Sequence, residues 1–460
     1  MMKISQPIGS VSVVGLGKLG ASMAAGMASR GFDVIGVDVL ERTVDALNSG
    51  VPPVQETDLG EVMAANRQRL RATLSHEEAV LNSDITFVAV PTPSDERGAF
   101  SLQYARYAFK ELGKALARKS DYHVIVLTST VLPGSTREGL LPILEAEAGK
   151  KCGTEFGLCY NPEFIALGSV IRDFLNPDFY LLGQFDERSG DALESVHRQV
   201  SANQAPVKRM SIENAELAKI AVNSFVTMKI SFANILAGIC EKLPGGDVDV
   251  VSDAVGMDSR IGRKYLTGGF GFGGPCFPRD NVALSYFGKS VGVSCELLDA
   301  NDRFNRSLST SIVSKLRTQI PQAGSVAVLG LAYKPFSNVI EQSPGIHLVK
   351  ALSDAGYRVI GHDPLATENA AAALMGHGLV TNNLSACLEQ ASTFLIATRD
   401  PAYANLLPEA FLGGGKTRST VVDFWRFLPV LERDDRIDYI PLGRCVSDDN
   451  ARAFLGALWG

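Results

Sequence analysis

The sequence predicts an α/β fold: two doubly wound parallel-sheet domains joined by a long central helix and a helical region. Three observations predict it. A strand, a glycine-rich turn, a helix and a second strand open the chain between residues 11 and 38. The same order returns between 324 and 364 with a changed turn. Between the two, the stretch from Ser211 to Pro244–Gly246 runs on for about 32 residues with no internal breaker, long enough for a single helix of about 48 Å.

At 460 residues the chain exceeds one ordinary core. The expected division is 1–200, 201–310 and 311–460. Hydrophobic content of 46% and charged content of 20% are those of a globular protein. A net charge of −6 leaves no electrostatic footprint for nucleic acid or an anionic membrane, though an anionic small substrate needs only a local positive site. The first twenty residues carry no apolar signal core, and no apolar run reads as a membrane span, so a cytoplasmic protein is expected. Seven cysteines, spread from Cys152 to Cys445 without a Cys-x-x-Cys pair, read as reduced thiols, most of them filling the core. Six histidines with no ligand spacing leave no metal site to expect.

In the first domain, Val11–Val14 is a short β-branched strand followed by Gly15, Gly17 and Gly20 in Gly-x-Gly-x-x-Gly spacing. The first glycine makes the turn, the second lets backbone approach a diphosphate, and the third lets the helix pack on the strand. Lys18 and Leu19 lie inside the turn. Asp38 ends the next strand, where a carboxylate binds both hydroxyls of an adenosine ribose and repels a 2′-phosphate, and Arg42 follows it. The pattern predicts a Rossmann-like domain that takes NAD rather than NADP; the bland alternative is a glycine-rich turn that binds nothing. Further strands are expected in 83–93 and 122–136. Their loops, "VPTP" with Pro91 and Thr92 and "STVLPGST" with Thr130, become candidate cofactor-side loops, although either alone reads as an ordinary βα turn.

"FGLCYNPEF" (156–164) reads as another strand ending at Glu163 and Phe164. The long helix is apolar on more than one stripe, so it must be covered on more than one side, by domains or by another subunit. Lys219 and Asn223 are at i and i+4 and share a face. A lysine among apolar neighbours has its pKa lowered and can serve as a base; from the helix alone, a snorkelling surface lysine is the plainer reading. "GFGFGGPCFPRD" (269–280) then places Cys276 behind five glycines. By itself it suits a buried structural thiol as well as a presented one; beside a cofactor site, its glycines would let backbone close around a sugar phosphate.

The last third repeats strand and glycine turn at "GSVAVLGLAYKP", a strand ending in Asp363, and strands at "TFLIATRD" and "STVVDFW". Gly330-Leu331-Ala332 replaces Gly-x-Gly, so the phosphate site there is lost or altered. A second Rossmann-like domain of this kind is expected to supply the substrate site.

"VPTP", "STVLPG", "YNPEF", "ELAKIAVNSF", "GFGFGGPCFPRD" and "GLAYKP" together resemble the UDP-glucose/GDP-mannose dehydrogenase family across nearly the whole chain. The resemblance implies an NAD domain, a central helical part that forms a homodimer, and a C-terminal nucleotide-sugar domain. It implies oxidation of the C6 alcohol of a nucleotide-diphosphate sugar to the uronic acid with two NAD+. A UDP-sugar such as UDP-glucose is expected, with GDP-mannose or a UDP-N-acetylhexosamine as alternatives. Cys276 would form a thiohemiacetal and then a thioester, Lys219 and Asn223 would stabilise the oxyanion, and Asp280 would order water and Lys219. Glu163 and Thr130 would assist hydrolysis. Phe164, Arg260, Tyr265, Phe272, Gly273 and Lys334 match substrate-contacting positions, the arginine often reaching from the partner subunit.

Several residues depart from the family pattern. Leu167 stands for a Glu, Arg279 for a Lys, Glu341 and Gln342 for Arg–Glu, Trp425 for an Arg, and Pro275 for a Ser. Two further hypotheses are a two-electron β-hydroxyacid-type dehydrogenase, which would not need Cys276 or the last domain, and a non-catalytic nucleotide-sugar sensor.

Overall fold

The computed structural model describes residues 8–320 and 324–459. The chain divides into two compact units, Met1–Ala221 and Val222–Gly460. The first is built on an eight-stranded sheet. In chain order the strands are β1 (Ser10–Val14), β2 (Asp33–Val37), β3 (Leu70–Thr73), β4 (Ile85–Val88), β5 (Val124–Leu127), β6 (Gly157–Tyr160), β7 (Tyr180–Gln184) and β8 (Val207–Ser211). Their spatial order is β3-β2-β1-β4-β5-β6-β7-β8, parallel throughout except between β6 and β7. The central strands β4 and β5 are buried at every position because helices cover both faces of the sheet, which is why they read as unbroken apolar runs. The order reverses between β1 and β4, and the loops leaving their carboxyl ends part there. The glycine turn, "VPTP" and "STVLPGST" follow β1, β4 and β5, so the three candidate cofactor loops lie at one edge of one sheet.

The second unit holds a six-stranded, wholly parallel sheet: β9 (Ser325–Leu329), β10 (Arg358–His362), β11 (Leu379–Thr381), β12 (Thr393–Ile396), β13 (Ser419–Asp423) and β14 (Ile437–Pro441). Its order, β11-β10-β9-β12-β13-β14, repeats the first sheet's pattern. The strands expected from sequence are present in both sheets. Those not foreseen include β3, β8, β11 and β14, short strands at the sheet edges whose one-sided burial leaves no continuous apolar signal.

The long helix spans Ile212–Cys240 and crosses the boundary of the two units. Ser211 caps it, its Oγ accepting from the Asn214 N–H at 3.3 Å. It stops a turn earlier than the absence of a breaker suggested. Lys242 and Leu243 turn back through bonds to the Ile239 and Cys240 carbonyls, and Gly246 packs so closely on Cys240 that a Cβ there would fall 2.1 Å from its oxygen. The helix also corrects the expectation that no segment reads as a membrane span: by length and composition this one does. Its buried residues include charged and polar ones, however, with Glu216, Lys219, Asn223, Thr227 and Asn234 all below 9% exposure. The other side carries an exposed apolar stripe of Leu217, Phe225, Phe232, Ile235 and Ile239.

All seven cysteines are reduced thiols. Cys152, Cys159, Cys240 and Cys387 are buried, as core filling predicts, and Cys276 is exposed.

Candidate active site

The three glycines of the first turn serve the separate purposes their spacing implied. Gly15 adopts φ +93°, and a Cβ there would lie 2.6 Å from the Ala89 carbonyl oxygen. A Cβ on Gly20 would lie 1.8 Å from the Gly15 oxygen. Gly17, which precedes the helix Lys18–Ser29, has nothing within 4 Å of the same point. The chain thus packs against the first and third glycines and leaves the space over the second open for a diphosphate at the helix start. Asp38 sits beside it. Its Oδ2 accepts from Leu16 N–H at 2.8 Å and its Oδ1 from Leu40 N–H at 2.9 Å. These bonds aim the half-buried carboxylate, whose remaining lone pairs suit ribose hydroxyls. Lys18 and Leu19, expected inside the turn, are the first two residues of the helix and half-buried, and Arg42 is exposed beyond Asp38. The residues present fit NAD.

The other two loops are tied together. Thr92 Oγ1 donates to the Thr130 carbonyl at 2.7 Å, and Ser129 Oγ to the Val90 carbonyl at 2.6 Å. Thr92 is therefore buried and its Oγ1 holds Thr130 in place, while its neighbour Pro91 is exposed.

Lys219 is 7% exposed, which excludes a snorkelling surface lysine. Its Nζ donates to the Glu163 carbonyl oxygen at 2.7 Å and lies 4.4 Å from the centre of the Phe164 ring. Glu163, Phe164 and Lys219, predicted from separate motifs, form one cluster. Glu163 is half-buried, but its Oε1 is sealed from water and accepts no hydrogen bond. Burial pushes this carboxyl up to about 8, against the pull of the Lys219 charge. A carboxyl balanced near neutrality is what proton transfer to and from water requires.

One turn further along the helix, in the second unit, Asn223 Nδ2 donates to Asp280 Oδ2 at 2.6 Å. Asp280 is 1% exposed and lies in the first turn of the helix Phe277–Ser290, and Arg279 Nε is 3.5 Å from its other oxygen. Cys276 occupies the N-cap of that helix, where the aligned peptide dipoles favour negative charge. The thiol is presented by the loop.

The glycines before Cys276 lie against other parts of the chain. A Cβ on Gly269 would meet the Trp425 ring at 2.6 Å, on Gly271 the Asn305 Oδ1 at 2.5 Å, on Gly273 the Gln342 oxygen at 2.2 Å, and on Gly274 the Tyr333 ring at 2.6 Å. The protein itself fills the space that side chains would take. Asn305 completes the clamp, accepting from Phe272 N–H and donating to the Phe272 carbonyl, both at 2.9 Å. Three of the departures take part: Gly274 N–H donates to the Glu341 carbonyl at 2.9 Å, the Gln342 oxygen faces Gly273, and Trp425 packs on Gly269. Arg426 is saturated, paired bidentately with Asp249 and bonded to the Phe424, Leu442 and Gly268 carbonyls. It does not stand in for the arginine that Trp425 replaces.

In the second sheet's altered turn, Asp363 Oδ2 accepts from both Leu331 and Ala332 N–H at 2.8 Å. Asp363 thus holds this turn as Asp38 holds the first through Leu16 N–H, and takes one further backbone donor, that of Ala332. Lys334 is half-buried beside Tyr333, its Nζ 5.7 Å from the ring centre. Tyr265 is exposed with φ +67°, and Arg260, 85% exposed in its side chain, is held by Asp258.

Sequence reasoning missed Glu216, whose 0% exposed carboxylate accepts from Gly134 N–H at 2.6 Å and Thr136 N–H at 2.9 Å. Burial pushes it up to about 7, opposed by those two bonds. An acidic residue inside an apolar helical stretch, three before Lys219, was the available signal.

Open space over Gly17 and an aimed carboxylate at Asp38 are what the diphosphate and ribose of a dinucleotide need, so the first unit is the cofactor half of an NAD-dependent oxidoreductase. Comparison with known proteins carries this further. Models of the UDP-glucose/GDP-mannose dehydrogenase family match its NAD binding domain at residues 9–201, its central domain at 213–307 and its UDP binding domain at 327–429. The chain belongs to the UDP-glucose/GDP-mannose dehydrogenase family. It is 40% identical to UDP-glucose 6-dehydrogenase AglM of Haloferax volcanii, over 78% of this chain and 84% of that one. It is 32% identical to GDP-mannose 6-dehydrogenase of Azotobacter vinelandii, over 91% and 97%. A UDP-glucose dehydrogenase structure from Pyrobaculum islandicum superimposes with a TM-score of 0.85 at 34% identity, covering 97% of this chain and all of the other. The activity is accordingly NAD-dependent oxidation of a CH–OH group of a nucleotide sugar.

Proposed function

We propose that the chain oxidises C6 of a UDP-hexose, UDP-glucose foremost, to the uronic acid through a covalent thioester on Cys276. The observation that carries this is the exposed Cys276 at the head of a helix whose first-turn Asp280 is hydrogen-bonded to Asn223. The preference for UDP-glucose draws on the 40% identical relative of that name and on the UDP binding domain model. Gly17, Asp38, Lys18, Leu19, Arg42, Pro91, Thr92 and Thr130 would hold NAD+, which would supply the hydride acceptor for each of the two oxidations.

The chain's own residues do the rest. Lys219 takes the C6 hydroxyl proton as the alcohol becomes an aldehyde, its Nζ anchored by the Glu163 carbonyl. Cys276 Sγ then adds to the aldehyde carbon, forming a C–S bond, and the new oxyanion faces the Lys219 ammonium and the Asn223 amide. The hemithioacetal loses its hydroxyl proton and a hydride and becomes a thioester. Glu163, ionised, removes a proton from water, with Thr130 orienting it; the water oxygen bonds to C6 and the C–S bond breaks. Sulfur suits both addition and departure. Asp280 holds Asn223 in place. Phe164, Arg260, Tyr265, Phe272, Gly273 and Lys334 form the sugar and nucleotide contacts.

The exposed stripe Leu217, Phe225, Phe232, Ile235 and Ile239 suits a homodimer contact along the long helix. The seven reduced thiols suit the cytoplasm. The family models support a division at 1–200, 201–310 and 311–460.

The test supplies purified protein with NAD+ and UDP-, GDP- and dTDP-sugars and counts NADH per sugar consumed. Two per UDP-glucose with uronic acid formed is the expected result, one refutes the four-electron reaction, and turnover on GDP-mannose alone refutes the nucleotide. Cys276→Ser is expected to abolish steady turnover; uronic acid made at the parent rate would rule out the thioester.

A further inference from the structure

Glu216 has no place in the reaction as derived, yet it is among the most deeply buried charged groups of the chain at 0% exposure. Its Oε2 accepts from Gly134 N–H at 2.6 Å and its Oε1 from Thr136 N–H at 2.9 Å. Both oxygens accept, and only the ionised carboxylate offers two acceptors with no proton of its own in the way. Burying a carboxylate is costly, and two backbone donors are the compensation the protein provides.

The loop it holds is short and specific. After Thr130 the chain buries Val131, turns through a Ser135 N–H to Leu132 carbonyl bond at 3.0 Å, and passes Gly134 at φ +86°. Upstream, Thr92 fixes the Thr130 carbonyl. Downstream, Glu216 fixes Gly134 and Thr136, and Arg137 forms an ion pair with Glu213 one turn earlier on the helix at 2.9 Å. Lys219 lies three residues after Glu216 on the same helix, with its Nζ on the Glu163 carbonyl. We propose that Glu216 is a positioning residue that fixes the loop carrying Thr130 to the helix carrying Lys219, so that the two side chains keep a constant separation through the reaction. A helix is rigid over one turn and a loop is not; two hydrogen bonds to one carboxylate transfer that rigidity to the loop.

This rests on Thr130 acting in the site, and the experiment separates the two ideas. kcat/KM for NAD+ and UDP-glucose is measured for the parent, Glu216→Gln, Thr130→Ala and the double variant. Glutamine keeps the shape but offers one acceptor, so Glu216→Gln is expected to lower kcat/KM at least about tenfold in the parent, the scale of one charge-assisted hydrogen bond. In the Thr130→Ala background it is expected to cost less than about twofold, because residues that act through one another are not additive. An equal loss in both backgrounds, or no loss in the parent, overturns the proposal. Full activity in Thr130→Ala removes Thr130 from the site and this role of Glu216 with it, a result distinct from an impaired Thr130→Ala beside a normal Glu216→Gln. Hydrogen exchange on the parent needs no variant to fold. The Gly134 and Thr136 amides are expected to exchange at least about 100-fold more slowly than exposed loop amides, and exchange at the free-loop rate overturns the proposal.

Discussion

Replacing Glu163 by Gln is expected to flatten the protein's loss of stability in alkali. Burial lifts this carboxyl from 4.5 to about 8 while its Oε1 has no hydrogen-bond partner. A carboxyl whose folded value lies above its unfolded one binds its proton more tightly when folded. Its stabilising contribution is complete below pH 4.5 and disappears as pH rises through about 8. At about 1.4 kcal/mol per pH unit, the parent should lose about 3 kcal/mol between about pH 5.5 and pH 8.5 that Glu163→Gln retains. That figure is an upper one, since the residue as a whole is half-buried. The assay is urea unfolding of both proteins at intervals across that range, followed by a probe in the first unit. A stability difference that changes by less than about 0.5 kcal/mol over the range would show that the carboxylate is solvated or paired, and the reasoning would fail. The same ionisation should appear as a rise in turnover toward pH 8 in the parent if Glu163 serves as the base for water.

Gly274→Ala should cost about 2–4 kcal/mol, combining overpacking with a left-handed residue, because the new Cβ would lie 2.6 Å from the Tyr333 ring at φ +84°; an unchanged thermal midpoint would contradict the clamp. Arg426→Met removes a buried guanidinium whose partner Asp249 is 39% exposed and leaves the Phe424, Leu442 and Gly268 carbonyls without its donors, which should destabilise by about 1–3 kcal/mol; an unchanged thermal midpoint would count against a structural role for the residue. Asp38→Asn should raise KM for NAD+ and improve use of NADP+, since it removes the charge that repels a 2′-phosphate; an unaltered cofactor preference would place the ribose elsewhere. Phe336→Asn should raise stability by up to about 1 kcal/mol, because Phe336 is exposed at φ +59°, and a lowered midpoint would mean that the phenyl ring is held by contacts that matter.

The sequence by itself determined the two parallel sheets, the long helix and the cofactor turn. Each is written in residues that are neighbours in the chain: apolar runs of strand length, glycines at fixed spacing, and an acid a fixed distance on. Gly15, Gly17 and Gly20 behave as that local pattern demands because backbone geometry in a turn depends on little beyond the turn. Cys276 and Lys219 were ambiguous in their local sequence, and with Asn223 they took their expected roles from the family resemblance. Tertiary structure alone decided which distant groups meet. The helix carries Lys219 to the Glu163 carbonyl, 56 residues away, and Asn223 to Asp280, 57 residues away. The glycines before Cys276 were read as letting backbone close around a sugar phosphate; a side chain at four of them would collide with Trp425, Asn305, Gln342 and Tyr333. No local pattern distinguishes those uses, because a missing side chain records that something comes close without recording what. Glu216 was passed over for the same reason: a carboxylate in an apolar stretch acquires meaning only when the backbone donors of another loop fold against it.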